Sequence, residues 1–182
     1  MAVNVDEHFN EMKQSFLASA ITDISCYVQL ADTKVSIIMG ALVALIAGVL
    51  ACYEPIIEVV SNIKPCSWVG VSVAIFSILC LSSVIAVFVL GILTIRGHSS
   101  IIDYKSKWYL PKSSKEYSFD KYRQDVLSMS DKDIIENMAA ELYKLNDINR
   151  QKSKTMKWTI YSFSFVLFSA AVLGALLLIS TR

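Results

Sequence analysis

Three long stretches of the chain carry no charged residue, and polar segments separate them. The stretches cover residues 35–53, 65–95 and 158–181, which are 19, 31 and 24 residues long. Because about 20 apolar residues cross the hydrocarbon core of a bilayer as a helix, each stretch predicts a transmembrane helix. A soluble core of this size does not need three such runs. The sequence therefore predicts an integral membrane protein in contact with the lipid bilayer.

Amphipathic patterns lead into the first and third apolar runs. Apolar residues recur every three or four positions, and neither Pro nor Gly occurs between residues 6 and 35, which predicts one helix over 4–53. A second helix is predicted over 131–180, with Ser130 as its N-cap and acidic residues in its first turn. The two apolar stripes comprise Val5, Phe9, Met12, Phe16, Ile24, Val28 and Ala31, and Ile134, Ile135, Met138, Leu142, Leu145 and Ile148.

These elements define the predicted fold class, an all-α integral membrane protein. It has three transmembrane helices, two of which extend into a cytoplasmic helical stalk. Each stripe is expected to pack against the other stalk or another copy of the chain, or to lie on the membrane surface. A short helix is also expected over 119–127. The predicted domains are a stalk helix at 1–34, two spans with a short outer loop at 35–96, a cytoplasmic segment with the second stalk at 97–157, and the third span at 158–182.

The distribution of positive charge predicts the orientation. Thirteen of the 17 Lys and Arg residues lie in 96–157. Since Lys and Arg near span ends favour the cytoplasmic side, this segment is placed in the cytoplasm. Three spans then put the N-terminus inside and the C-terminus outside.

Several kinds of chemistry are not expected. The segment 96–157 carries thirteen bases against nine acids, which makes it a poor surface for nucleic acid. The four cysteines form no CxxC pair and lie near no histidine cluster, so neither a metal nor a cofactor is predicted. Cys52 and Cys66 lie at the same end of the first two spans, where two thiols are favoured over a disulfide. Without a P-loop, GxSxG or HExxH motif, the protein is predicted not to be an enzyme.

One face of the second stalk carries candidate ligand-binding residues. Tyr143, Asn146 and Arg150 fall at positions i, i+3 and i+7. An aromatic ring, an amide and a guanidinium are groups that can stack on a base, bind its edge and hold a phosphate. Lys34, on the first stalk, is predicted to lie at a similar depth below the membrane. The alternative is an ordinary solvated helix face.

Small residues mark a second candidate surface. Gly40, Ala44 and Gly48 share one face of the first span. In lipid, such residues let helices approach closely. The contact lies either within the chain or between subunits, and a homo-oligomer is expected.

Two segments resemble the Pycsar-type transmembrane effectors of bacterial anti-phage defence. ADTKVSIIMG (31–40) is similar to that family's Asp-x-Lys-Ala entry into the first span, with Val35 in place of Ala. Residues 118–163 resemble a second signature, a short aromatic segment with a Tyr followed by a Ser-acid helix start and a Tyr-x-Leu-x-x-Ile-x-x-x-Lys pattern. That pattern is carried by Tyr143, Leu145, Ile148 and Lys152. From the aromatic segment, Tyr122 and Arg123 join the candidate ligand-binding residues.

The resemblance implies a multi-pass protein of the cell inner membrane, and the orientation predicted from the charges then makes the C-terminus periplasmic. It implies that a partner cyclase makes a cyclic mononucleotide, cyclic UMP or cyclic CMP. The effector would sense this messenger and disrupt the membrane, which causes growth arrest or cell death. The alternative from a different class is a passive oligomeric anchor or scaffold for a cytoplasmic partner.

The predicted orientation can be tested with reporter fusions. A reporter that is active only in an oxidising compartment, fused after Arg182, is expected to give signal, because three spans place that end outside. The same reporter inserted within 105–125 is expected to be silent. The reverse pattern would invert the topology.

Overall fold

The computed structural model describes residues 5–96 and 118–180, with side chains from His8 onward. These residues form five helices: α1 (Val5–Ala51), α2 (Tyr53–Ser61), α3 (Trp68–Ile95), α4 (Phe119–Leu127) and α5 (Asp131–Ser180). The described ranges contain no strand. α1, α3 and α5 are each long and apolar enough to cross a membrane, which confirms the predicted all-α class with three spans. Residues 97–117 of the predicted cytoplasmic segment lie outside the described residues.

Side-chain caps explain where three of the helices begin. At α5, the Ser130 hydroxyl accepts from the Asp133 backbone N–H at 3.3 Å, and the Asp133 carboxylate accepts from the Ser130 N–H at 3.0 Å. This reciprocal pair satisfies two amides that have no helical partner. Ser118 caps α4 and Ser67 caps α3 with one bond each: the serine hydroxyl accepts from the backbone N–H three residues on. α4 and α5 begin and end where the sequence predicted.

The end of α1 differs from the prediction. Pro55 has no N–H, so the Ala51 carbonyl loses its helical donor four residues on, and α1 ends at Ala51 rather than at residue 53. The chain turns at Cys52 and continues as α2, with the Ile56 N–H donating to the Cys52 carbonyl at 3.2 Å. The segment predicted as a short outer loop therefore contains a two-turn helix that the sequence analysis missed.

The described residues divide into two compact units. We call residues 30–96 and 152–180 the apolar unit, and residues 5–29 and 118–151 the polar unit. In the apolar unit, Leu42 of α1, Val87 of α3 and Val166 of α5 form a buried cluster. Each of the three membrane-length helices contributes one member, so this cluster holds the helices against one another. The half-buried residues around it are Ile38, Met39, Ile46, Cys80, Val84, Phe88 and Phe163.

Close helix approach in the apolar unit depends on a glycine of α3. A Cβ added at Gly91 would lie 2.8 Å from the Met39 sulfur and 3.5 Å from Cγ1 of Val35. Gly40 and Gly48, which were predicted to mediate a contact, face open space in the described part of the chain, with no atom within 4 Å of an added Cβ. The predicted small-residue face is therefore exposed, and only its role between subunits remains a prediction.

The outer surface of the apolar unit suits lipid. Only 11%, 6% and 17% of the most hydrophobic windows of α1, α3 and α5 are buried, so most of their apolar side chains need a partner outside the chain. Exposed aromatic residues lie near the span ends, including Trp68 at the start of α3 and the edge-to-face pair of Trp158 and Tyr161 on α5. Such residues are typical of membrane–water interfaces.

The polar unit uses its two predicted stripes unequally. All six stripe residues of α5 are buried or half-buried, and Met138 is the most buried of them. On α1, Ile24 and Val28 are half-buried, whereas Phe9, Met12 and Phe16 are exposed. The stripe of α5 is therefore fully used for packing, and that of α1 only in its second half.

A matched pair of glycine substitutions tests the packing of α3 on α1. Gly91→Leu is expected to lower the free energy of unfolding by about 1–3 kcal/mol, because its side chain must displace Met39 from a packed site. Gly40→Leu, which adds the same side chain in open space, is the control. Tryptophan fluorescence during thermal unfolding in detergent micelles measures both. Equal melting temperatures for the two variants would contradict this packing.

Candidate functional site

Three of the predicted ligand-binding residues line one concavity on α5. Its volume is about 340 Å³, and its lining includes Tyr143, Asn146, Asp147, Asn149 and Arg150. This volume is at the lower end of the range for small-molecule sites, about 300–1,000 Å³. Positions i, i+3, i+4 and i+7 lie on one helix face, which explains why one helix can bring these groups together.

An ion pair organises the charge in this concavity. A guanidinium nitrogen of Arg150 donates to Oδ1 of Asp147 at 2.9 Å, and Nε2 of Gln151 donates to Oδ2 at 3.0 Å. The Asp147 side chain is 17% exposed, while that of Arg150 is 84% exposed. A guanidinium has five N–H donors. Arg150 therefore keeps free donors for an anion even while one of its nitrogens is bonded to Asp147. An incoming phosphate must compete with this carboxylate.

Asn146 and Tyr143 offer the groups that a nucleobase needs. Asn146 donates one amide N–H to the Leu142 carbonyl at 3.0 Å, which fixes the side chain on the exposed face of the helix. Its carbonyl oxygen and second N–H can therefore bind the edge of a base. The Tyr143 side chain is exposed and presents a ring on which a base can stack.

The other three predicted residues lie elsewhere. Tyr122 is half-buried and Arg123 is exposed on α4 of the polar unit, and neither is among the described residues that line the concavity. Lys34 is exposed on α1 in the apolar unit. The part of these three residues in ligand binding stays a prediction.

A buried acid in the polar unit was not anticipated from the sequence. The Glu141 side chain is 10% exposed, and its Oε2 has no hydrogen-bond partner. The Lys144 ammonium lies 3.7 Å from that oxygen, too far for a hydrogen bond. A buried acceptor without a donor costs about 1–3 kcal/mol, and the Lys144 ammonium at 3.7 Å offsets part of this cost. Glu141 lies on the face of α5 that carries the apolar stripe. Since Glu is usually exposed, the sequence did not indicate that its side chain is buried.

A partly buried ion pair joins α1 to α5 in the apolar unit. The Lys152 ammonium donates to Oδ1 and Oδ2 of Asp32 at 2.6 and 2.7 Å. The Lys152 side chain is 6% exposed, and that of Asp32 is 36% exposed. Because a buried ammonium is costly without a counter-charge, this contact fixes which faces of the two helices meet.

No group of three or more metal-ligating side chains that could hold an ion occurs in the described ranges. The four cysteines, all within those ranges, are free thiols. Cys52 and Cys66 are both exposed and form no disulfide in this structure.

A comparison with family models identifies the chain. The model of the Pycsar effector protein domain matches residues 16–180, nearly the whole length. The chain belongs to the Pycsar effector family. Membership places it in anti-phage defence that signals through cyclic nucleotides, and together with the three apolar helices it supports a membrane location. No curated protein and no solved structure gives a significant match.

The structure connects the two sequence signatures that resemble the Pycsar effectors. Asp32 comes from the Asp-x-Lys entry of the first span, and Lys152 ends the Tyr-x-Leu-x-x-Ile-x-x-x-Lys pattern. They form the ion pair described above, although they lie 120 residues apart in the chain. Val35, which stands where that family tends to have Ala, is fully buried beside Gly91. Asp32 and Lys152 were missed as functional candidates because spacing along the chain does not indicate which distant charges pair.

The unequal burial of this pair predicts unequal effects of its removal. Asp32→Ala leaves a buried ammonium without a partner and is expected to lower the free energy of unfolding by about 3 kcal/mol. Lys152→Met leaves an Asp32 carboxylate that water can reach, so it is expected to lower the free energy of unfolding by only about 1 kcal/mol. The double variant should be more stable than Asp32→Ala alone.

Ser36→Ala is the matched control for this series, since Ser36 is exposed one turn from Asp32. Unfolding in detergent micelles, followed by circular dichroism, measures all four variants. If the two single variants lose equal stability and the double variant loses the sum, the pair is not coupled.

Proposed function

We propose that this Pycsar effector binds a cyclic mononucleotide, cyclic UMP or cyclic CMP, and then disrupts the bacterial inner membrane, which stops growth or kills the cell. The observation that carries the proposal is the concavity of α5, where stacking, base-edge and phosphate-binding groups share one helix face. The family match supports the cyclic-nucleotide context. In this function the protein acts without catalysis.

Each group of the concavity has a role in the proposed binding. The Tyr143 ring stacks on the base, and Asn146 binds its edge. Because an amide both donates and accepts, Asn146 suits either uracil or cytosine. Arg150 binds the cyclic phosphate and exchanges part of its contact with Asp147 for the ligand. Lys34, Tyr122 and Arg123 are further candidate contacts.

We propose that α5 carries the response to the membrane. The concavity lies at residues 143–150 of α5, and the same helix contains one of the three membrane-length apolar windows. A ligand that binds one helix state better than another shifts the population toward that state. The proposed assembly is a homo-oligomer in the inner membrane, with a cytoplasmic N-terminus and a periplasmic C-terminus.

Leakage separates the effector from a passive anchor. Cells co-express the protein with cyclases that each make a different cyclic mononucleotide, and entry of a membrane-impermeant dye is followed. The effector admits dye with at least one ligand, whereas an anchor or scaffold admits none. Absence of dye entry with every ligand, after membrane insertion has been confirmed, would reject the proposed function.

Arg150→Ala tests direct sensing of the ligand. The affinity of purified full-length protein for the cyclic nucleotide is expected to fall about 10- to 100-fold, since a hydrogen bond to a charged group contributes about 1.5–3 kcal/mol. Lys132→Ala is the matched control, because Lys132 is an exposed cation on the same helix and outside the described lining of the concavity. Isothermal titration in detergent micelles measures both. Equal affinities would remove Arg150 from the site.

A further inference from the structure

The helix α2 has three distinct sides. Ile56 and Val59 are half-buried and form its packed side. Glu54, Glu58 and Ser61 form a polar side, with the two acids one turn apart. Helical spacing places Tyr53, Ile57 and Val60 together on a third side, and all three are exposed. Packing therefore accounts for only part of the apolar surface of α2.

The exposed apolar side of α2 continues a membrane-facing surface. Val49 near the end of α1 is exposed, and Tyr53, Ile57 and Val60 of α2, which follows after the turn at Cys52, are exposed as well. Val49 belongs to the first membrane-length helix, and Trp68, exposed at the start of α3, begins the second. α2 thus follows the end of one span directly and precedes the start of the next. This continuity favours lipid as its contact.

Hydrogen bonds satisfy the carbonyl groups of Glu58, Val59 and Val60 at the C-terminal end of α2. The Glu58 carbonyl accepts from the side-chain amide of Asn62 at 3.0 Å and from the Ser61 hydroxyl at 2.9 Å. The Val59 and Val60 carbonyls accept from the backbone N–H groups of Asn62 and Ile63. These bonds satisfy the Glu58, Val59 and Val60 carbonyls, so fewer backbone groups at this end of α2 depend on water.

We propose that α2 is an interfacial helix, which inserts Tyr53, Ile57 and Val60 into the acyl-chain boundary of the leaflet where α1 ends and keeps Glu54 and Glu58 in water. Interfacial helices often use Lys and Arg to bind anionic lipid. The only charged residues of α2 are the acids on its polar side, so its contact with the leaflet depends on apolar area. This inference does not depend on nucleotide sensing.

Spin labels at neighbouring positions test the contact. In full-length protein whose four cysteines are replaced, Ile57→Cys and Glu58→Cys are labelled singly in vesicles of phosphatidylethanolamine and phosphatidylglycerol. The label at residue 57 is expected to collide severalfold more often with dissolved oxygen than with a water-soluble nickel complex. The label at residue 58 is expected to show the reverse. Ile78, exposed within α3, is the lipid reference and Lys64 the water reference.

Other results would overturn the proposal. Nickel access at residue 57 equal to that at Lys64 would place this side in water. Low access to both reagents, with dipolar coupling between labels, would mean that a second copy covers it. Val60→Cys and Ser61→Cys form a second pair that must give the same contrast. Raising the salt concentration should leave the ratio of oxygen to nickel collisions at residue 57 unchanged. A fall in this ratio would show that charge on the lipid holds the helix at the membrane.

Discussion

The ion pair between Lys152 and Asp32 fixes how α5 meets α1 in the apolar unit. Dispersion contacts between apolar side chains such as Leu42 and Val166 have little direction, so they constrain the facing of two helices less than a charge pair does. A buried ammonium differs, since its free energy depends on one carboxylate at 2.6 and 2.7 Å. Once this pair is made, the faces of α1 and α5 that meet are determined. The Leu42–Val87–Val166 cluster then packs within that register.

Most apolar side chains of the apolar unit are exposed and need lipid as their contact. Seven buried hydrophobic residues serve the whole described chain, which is far fewer than a soluble domain of this length would bury. Contacts between spans therefore depend on close fit, as at Gly91, rather than on removal of apolar surface from water. Several hydroxyl groups within the spans donate to carbonyls of their own helix: Ser83 donates to the Leu79 carbonyl, and Ser169 donates to the Phe165 and Val166 carbonyls. Such hydroxyls are satisfied without a water-filled path.

Four of the five described helices were predicted from local signals, whereas α2 and the tertiary contacts were not. Ser130 and Asp133 lie three residues apart, so their capping exchange is visible in the sequence, and the start of α5 followed from it. Pro55 was an equally local signal for the end of α1, but that end was predicted from the uncharged run, which extends to Tyr53. The pairing of Asp32 with Lys152 depends on a contact across 120 residues, which no local pattern encodes. The same holds for Gly91, whose role depends on Met39 of another helix.

The candidate site shows the same division. Helical spacing placed Tyr143, Asn146 and Arg150 on one face, because one helix fixes all three. Asp147 was not among the predicted site residues, yet in the structure it neutralises Arg150 and is itself mostly buried. A neutral concavity attracts simple anions weakly, since the guanidinium already has a carboxylate. A ligand that also stacks on Tyr143 and binds Asn146 gains contacts that phosphate alone lacks. Asp147 therefore favours a whole nucleotide over the abundant inorganic anions of a cell.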